Sequence, residues 1–265
     1  MDIEGRRVLV TGASRGLGTA LAGAFAAAGA RLALVARDGD ALTDVATRTG
    51  GDAYVADLTD TDMLRTLVAR VEADGGPVDV LVNNAGIETA GALHTQTADE
   101  VEQLLRLNVL APTELCRQVL PGMLERGNGS LVLISSMAGV GTFPGMAAYG
   151  ASKAALTRLA AGVRADVAGS GIAVTDVQLG PVRGDMVARA ESYPPVRQGF
   201  DRLRRLRMLR DLEASEVAEA VVDALRHDRS HLRLPRRAAF MAALAEAPQE
   251  LVDALLPRGF RRAAS

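Results

Sequence analysis

The residues that most often staple or ligate a protein are nearly missing from this chain. There is one cysteine, Cys116, so no disulfide closes within one chain and no multi-cysteine metal site forms. The three histidines, His94, His227 and His231, are scattered without ligand spacing, so no metal is expected. No stretch approaches the ~18 uncharged apolar residues that suggest a membrane span. The N-terminus, MDIEGRR, has no apolar run of signal-peptide length, and a cytoplasmic chain is the expectation. A net charge of −2 gives no whole-molecule signature of nucleic-acid binding.

Lysine is as scarce as cysteine. Lys and Arg together number 30, and Lys153 is the only lysine among them. A chain this rich in Ala, Arg and Gly suggests a GC-rich genome, which suppresses lysine, and one survivor can be chance. Yet the two cations differ physically. Lys is a compact point charge with an adjustable pKa; Arg is a broad planar fork that stays charged. Tyr149 stands four residues before Lys153. On a helix, residues four apart share a face, so a phenol and an ammonium can meet.

What is present is an ordinary globular composition. The chain has 265 residues, 48% hydrophobic and 23% charged, which suits one large α/β domain or two small ones. Short β-branched or apolar runs (RRVLVTG, RLALVAR, DAYVAD, VDVLVNN, GSLVLISS, IAVTDVQL and HLRLP) read as buried strands. Ala- and Leu-rich stretches between them, including a long 98–126 segment and 146–168, read as helices. Strand alternating with helix predicts βαβ units. The fold expected is therefore α/β: a single-domain, Rossmann-type, doubly wound parallel sheet of about seven strands with helices on both faces. With no linker or repeat, 1–265 reads as one domain. Residues 184–210 break the alternation after the sixth strand and are placed to act as a substrate lid. Residues 236–265 read as a C-terminal helical extension that covers the pocket, docks on a neighbouring subunit or touches a membrane surface.

The run VTGASRGLG, 10–18, follows a strand and opens an alanine-rich helix. Gly12 allows the tight turn, Gly16 a close backbone approach to phosphate, and Gly18 close helix–strand packing. The helix N-terminus offers free N–H groups to a pyrophosphate. The second strand ends in Arg37-Asp38, and Arg15 sits inside the glycine turn. Two guanidiniums suit a 2′-phosphate, so NADP(H) is favoured over NAD(H).

Ser136, at the end of GSLVLISS, precedes Tyr149 by thirteen residues. A loop over the strand tops lets the hydroxyl, phenol and ammonium converge. Reduction of a carbonyl by hydride transfer needs a proton for the new alkoxide. A phenol of pKa about 10 donates weakly at neutral pH unless a nearby ammonium stabilises its anion. The phenolate accepts the proton in the reverse direction. A serine hydroxyl holds the substrate oxygen.

Taken together, these motifs resemble the short-chain dehydrogenase/reductase family over roughly residues 5–235. The resemblance rests on Thr11-Gly12-Ala13-Ser14-Arg15-Gly16-Leu17-Gly18, Asp57, Asn83-Asn84-Ala85-Gly86, Asn108, Ser136, and Tyr149 with Lys153. It implies Tyr149 as the acid/base, Ser136 orienting the carbonyl, Lys153 bonding the nicotinamide ribose, and Asn108 holding a water that links Lys153 to solvent. The implied cofactor site comprises Gly12, Ser14, Arg15, Gly16, Leu17, Gly18, Arg37, Asp57, Leu58, Asn84, Ala85, Gly86, Tyr149, Lys153, Gly180 and Val182. Arg15 and Arg37 match positions that are basic in NADP-preferring members. The chain departs from the family after the sixth strand. Leu179 replaces a usual proline, and Gly184 stands where a threonine usually touches the nicotinamide carboxamide, leaving that contact to backbone near Val182.

Glu88, Met137, Val140, Phe143, Met146, Met186 and Tyr193 are candidate substrate residues. Most are apolar, so a small hydrophobic carbonyl or alcohol is expected. The runner-up is a 3-oxoacyl-thioester reductase. A cofactor-binding regulator without turnover is the competitor from another class, and the intact Ser136, Tyr149 and Lys153 set speaks against it. His94 reads as a surface histidine. Arg197, Arg202, Arg204, Arg205, Arg207 and Arg210 read as a solvated helix face, with an acidic partner as the sharper alternative. In the resembled family the helices of 98–126 and 146–168 pair between subunits, which implies a homodimer or homotetramer.

Overall fold

The computed structural model describes residues 1–235; the extension expected over 236–265 lies outside the described residues. All seven expected strands form, as β1 (Arg7–Thr11), β2 (Arg31–Ala36), β3 (Asp52–Val55), β4 (Val80–Asn83), β5 (Gly129–Ser136), β6 (Ile172–Leu179) and β7 (His231–Leu234). They pair in parallel in the order β3-β2-β1-β4-β5-β6-β7. Every residue of β1, β4 and β5 is buried, as expected of central strands covered on both faces.

The strand pleat divides the core into two layers. Val8, Val10, Val80 and Val82 point to one face, where α1 (Gly16–Ala27), α2 (Gly39–Thr49) and α9 (Ala214–Arg226) pack. Leu9, Leu81, Leu131 and Leu133 point to the other, under α3 (Thr61–Gly75), α5 (Ala111–Arg126) and α6 (Ala147–Asp166). Helix α9 is an addition to the sequence reading. Its signal was present, since Val217, Val221, Val222 and Leu225 recur at helical spacing and are all buried.

The long helix expected over 98–126 is interrupted. It forms α4 (Ala98–Leu105), a π-helical turn over Arg106–Leu110, and then α5. At that turn the Ala111 N–H donates to Arg106 O, five residues back. Pro112, which has no N–H to give, follows directly.

Residues 184–210 fold as α7 (Asp185–Glu191) and α8 (Pro194–Arg205). Ala190, Val196, Phe200 and Leu209 pack on Leu104, Met146 and Tyr149. Phe143 meets Phe200 edge to face, with ring centroids 5.7 Å apart. The arginines of this segment do not form one solvated face. Arg204 bonds Glu191 and Asp211, each at 2.6 Å, and lies over the Phe200 ring. Arg210 pairs with Glu216. Arg197, Arg202, Arg205 and Arg207 are exposed.

Cys116 lies in α5, 1% exposed, where Asn83 Nδ2 donates to its sulfur at 3.4 Å. Burial pushes its thiol up to about 12. The native protein is expected to resist an aromatic disulfide reagent at pH 8 and to react with one equivalent once unfolded in guanidinium. Rapid labelling of the native chain would contradict this packing.

Candidate active site

The strand order reverses between β1 and β4, and a cavity of about 880 Å³ opens at the carboxyl ends there. Open α/β sheets bind ligands at this place. The glycine turn after β1 forms one end of the wall. Gly12 has φ +67°, and a Cβ on it would stand 2.9 Å from Ala85 Cα. A Cβ on Gly18 would stand 1.9 Å from the Gly12 carbonyl oxygen, so turn, helix and β4 loop close up only around glycine. At Gly16 the space a Cβ would take is open.

Thr11 and Asn84 fasten that turn to the β4 loop. The Asn84 side chain donates to Thr11 O at 2.9 Å and Gly12 O at 3.3 Å. The Thr11 hydroxyl accepts the N–H groups of Asn84 and Ala85, both at 3.0 Å. At the far end, the Asp38 carboxylate is committed to capping α2 through the Ala41 N–H at 3.1 Å. Arg37 beside it is half-exposed, 3.9 Å from Asp57. Burial opposes ionisation of Asp57, but hydrogen bonds from the Thr59 N–H and hydroxyl, with the Arg37 charge, hold its carboxyl below the usual range.

At the other end, α6 presents Tyr149 and Lys153 one turn apart, 8% and 5% exposed, toward Ser136 at the tip of β5. Lys153 Nζ donates to Ile134 O at 2.9 Å and lies 5.9 Å from the Tyr149 ring centroid. Burial pulls Lys153 down to about 8, opposed by the Asp176 carboxylate. Burial also pushes Tyr149 up to about 12, against the Ser136 hydroxyl, which lowers it, and with the Glu88 charge, which raises it. Burial is the largest influence on the phenol, and it opposes the lowering expected from a neighbouring ammonium. Burial favours the neutral form of each group. Tyr149 therefore keeps its proton at neutral pH.

Asn108 sits in the π-helical turn, 1% exposed. Its side chain accepts from Ile87 N at 2.9 Å and donates to Ile87 O at 2.8 Å and Ser152 Oγ at 3.1 Å. Ser152 Oγ in turn donates to Tyr149 O at 2.7 Å. One amide thus ties the β4 loop to the first turn of α6. The α-helical donor for the Asn108 carbonyl would be residue 112, which is proline, so that oxygen lacks its usual helical partner.

Every expected cofactor residue except Asp57 lines this cavity, as do Glu88, Met137, Phe143, Met146 and Met186. Asp57 lies just outside the wall, and Asn108 lies behind it. Val140, packed beside Met137, and Tyr193, whose ring lies on Gly145 and against the cluster of Met146, Tyr149 and Phe200, are not among the wall residues. His94 is exposed. Sequence reasoning missed Arg189, Phe200 and Leu209, which reach the wall from α7, α8 and the segment after α8. It also missed Asp176, buried at 0% on β6, where its Oδ2 accepts from Gln178 Nε2 at 2.8 Å.

A profile of the short chain dehydrogenase family matches residues 6–194. The chain belongs to this family of oxidoreductases. A fatty acyl-CoA reductase of Mycobacterium tuberculosis is 34% identical over 266 residues, covering 97% of this chain and 86% of the relative. Among solved structures, a short-chain dehydrogenase from Sphingobium yanoikuyae in complex with NADPH superposes with a TM-score of 0.80 at 29% identity, covering 96% of this chain and 97% of that one. The bulky-bulky ketone specific alcohol dehydrogenase of Comamonas testosteroni gives 0.77 at 28% identity, over 96% and 95%.

Asn108→Ala removes both partners of the Ile87 peptide groups. Each buried group left unpaired costs about 1–3 kcal/mol, so a fall of several degrees in Tm is expected. An unchanged melting curve would show that the clamp is dispensable.

Proposed function

We propose that the protein is an NADP(H)-preferring oxidoreductase that interconverts a ketone or aldehyde and its alcohol. The observation that carries this reading is one continuous cavity. Ser136, Tyr149 and Lys153 stand at one end of it, and the glycine turn, Arg15 and Arg37 at the other.

The donor set fits a nicotinamide dinucleotide. Open space at Gly16 and the unacidic first turn of α1 suit a pyrophosphate. Asp38 is engaged in its cap, and the Arg37–Asp57 pair is long and solvent-exposed, hence weak. Arg37 is free to turn to a 2′-phosphate. The NADPH in the Sphingobium structure supports the same preference. At the missing threonine, Val182 bridges to Leu212 through Pro181 O and Arg183 N. Its own N–H and C=O therefore face away from Leu212, available to a carboxamide.

When bound, the cofactor supplies hydride to the carbonyl carbon. The Ser136 hydroxyl holds the substrate oxygen. The Tyr149 phenol gives its proton to that oxygen as negative charge develops there. Lys153, cationic below about pH 8, stabilises the phenolate left behind, and the same groups run in reverse for alcohol oxidation. Lysine suits this position because a compact ammonium on a flexible stem can reach Ile134 O at 2.9 Å, where arginine would bring a broad planar fork.

The substrate wall is largely apolar, with Met137, Phe143, Met146 and Phe200, which supports a hydrophobic carbonyl compound. A thioester substrate is the second reading, favoured by the relative named fatty acyl-CoA reductase and by the exposed arginines of α8. Leu105, Leu110 and Leu124 stay exposed on α4, the π-helical turn and α5, which supports a homo-oligomer joined through these helices. No helix among the described residues is long and apolar enough to cross a membrane.

NADPH oxidation is expected with ketones, aldehydes or 3-oxoacyl thioesters, with Tyr149→Phe lowering kcat/KM by about 10²–10⁴-fold. Undiminished turnover in Tyr149→Phe would remove the tyrosine as acid. Arg37→Ser is expected to narrow the NADPH-to-NADH preference by tenfold or more, since a charged hydrogen bond is worth about 1.5–3 kcal/mol. An unchanged ratio would assign the preference elsewhere.

A further inference from the structure

Three carboxylates line the cavity: Asp38, Glu88 and Asp185. Asp38 caps α2 and Asp185 is exposed at the start of α7. Glu88 is different. Its side chain is 3% exposed, although it follows directly on the β4 loop. Oε1 takes the Nε of Arg189 at 3.4 Å, a long contact from an α7 side chain that is itself 53% exposed. Oε2 is buried with no hydrogen-bond partner among the described residues. Burial raises the Glu88 pKa, Arg189 and the residue's own N–H oppose that rise, and its charge in turn raises Tyr149.

This arrangement is a poor investment for folding alone. A buried carboxylate with one weak partner and one unpaired oxygen is destabilising, and an apolar residue of similar volume would do as well or better. Its value must lie with what enters the cavity. The wall around it offers methionines, Phe143 and Phe200, so a single buried acceptor there fixes the orientation of a ligand. Ser136 and Tyr149 are assigned to the reacting oxygen, which leaves Glu88 Oε2 for a second group. An acceptor calls for a donor; a carboxylate or sulfonate at that position would meet like charge. Because Arg189 belongs to α7, the same contact ties the segment over the cavity to the β4 loop.

We propose that the Glu88–Arg189 pair selects carbonyl substrates that carry a second hydrogen-bond donor, a hydroxyl or an ammonium group, which binds Glu88 Oε2. This rests on the carbonyl-reductase reading and names its substrate class.

The test is a ketone series on one carbon skeleton: the parent ketone, hydroxy-ketones with the hydroxyl at increasing distance from the carbonyl, their methyl ethers, and the amino analogues. Two quantities are read for the full-length wild type, Glu88→Gln and Glu88→Leu. One is kcat/KM with NADPH. The other is Kd for the NADP⁺-loaded protein, which has no hydride to give, from isothermal titration calorimetry. The wild type is expected to favour the best hydroxy-ketone over its methyl ether by about 10–100-fold, the range of a hydrogen bond to a charged group. Glu88→Leu brings that ratio close to one. Glu88→Gln, whose amide oxygen still accepts, keeps part of the hydroxyl preference and loses any preference for the ammonium compound, which separates the two donors. A wild type that does not discriminate, or a ratio identical in wild type and Glu88→Leu, overturns the proposal. If Glu88→Leu does not fold, the ammonium-to-hydroxyl ratio of Glu88→Gln decides, and an unchanged ratio overturns the proposal. Turnover of the parent ketone tests the reductase reading separately. If no ketone turns over, the Kd ratios still judge Glu88.

Discussion

Burying the ammonium of Lys153 is the constraint around which this site is built. A lysine charge under the C-terminal end of a sheet is costly, and the fold answers it with Ile134 O at 2.9 Å and a fully buried carboxylate, Asp176, on the next strand. The compensation is incomplete, because the ammonium titrates near 8 instead of 10.5. The sign is informative. Between those two values the unfolded chain holds a proton that the folded chain has released, so this group penalises folding at neutral pH and the penalty is relieved as pH rises from about 8 to 10.5. The site keeps a cation where folding would prefer none.

That cation needs rigid neighbours, and the surrounding bonds supply them. Thr11 and Asn84 join the glycine turn to the β4 loop, and Asn108 joins the β4 loop to Ser152 and so to the backbone of Tyr149. Ser135 Oγ bonds Lys153 O at 3.0 Å and Thr157 Oγ1 at 2.8 Å, holding α6 to β5. Ser136, Tyr149 and Lys153 thus ride on a strand tip and a long helix, the most precise supports a fold offers. Helices α7 and α8 add apolar wall and the Glu88–Arg189 contact, the parts that differ freely between members of one fold.

Much of this was legible in the sequence because it is local. The strands are continuous apolar runs, and their alternation with helices implies the doubly wound sheet. Glycines 12, 16 and 18 and the four-residue step from Tyr149 to Lys153 carry their own geometric reasons. The rest depends on partners far apart in the chain. The π-helical turn needs a hydrogen bond five residues back, although Pro112 four positions after Asn108 hinted at it. Glu88 finds Arg189, and Lys153 comes under the charge of Asp176, only once the chain is folded. Whether Val140 and Tyr193 reach the wall also depends on the fold, because nearness in sequence to Ser136 and Tyr149 does not fix which way a side chain points. The effect of burial on Tyr149 and Lys153 likewise depends on what the folded chain packs around them.

Lysine labelled with ¹³C at Cε gives one lysine resonance in this protein, because Lys153 has no competitor anywhere in the chain. Titrating that resonance in the native protein measures the buried ammonium directly. A midpoint near pH 8 is expected if the lysine is dry, close to Ile134 O and only partly balanced by Asp176. A midpoint near 10.4, the value of a solvated lysine, would mean that the ammonium is hydrated and that the account of this site is wrong at its centre.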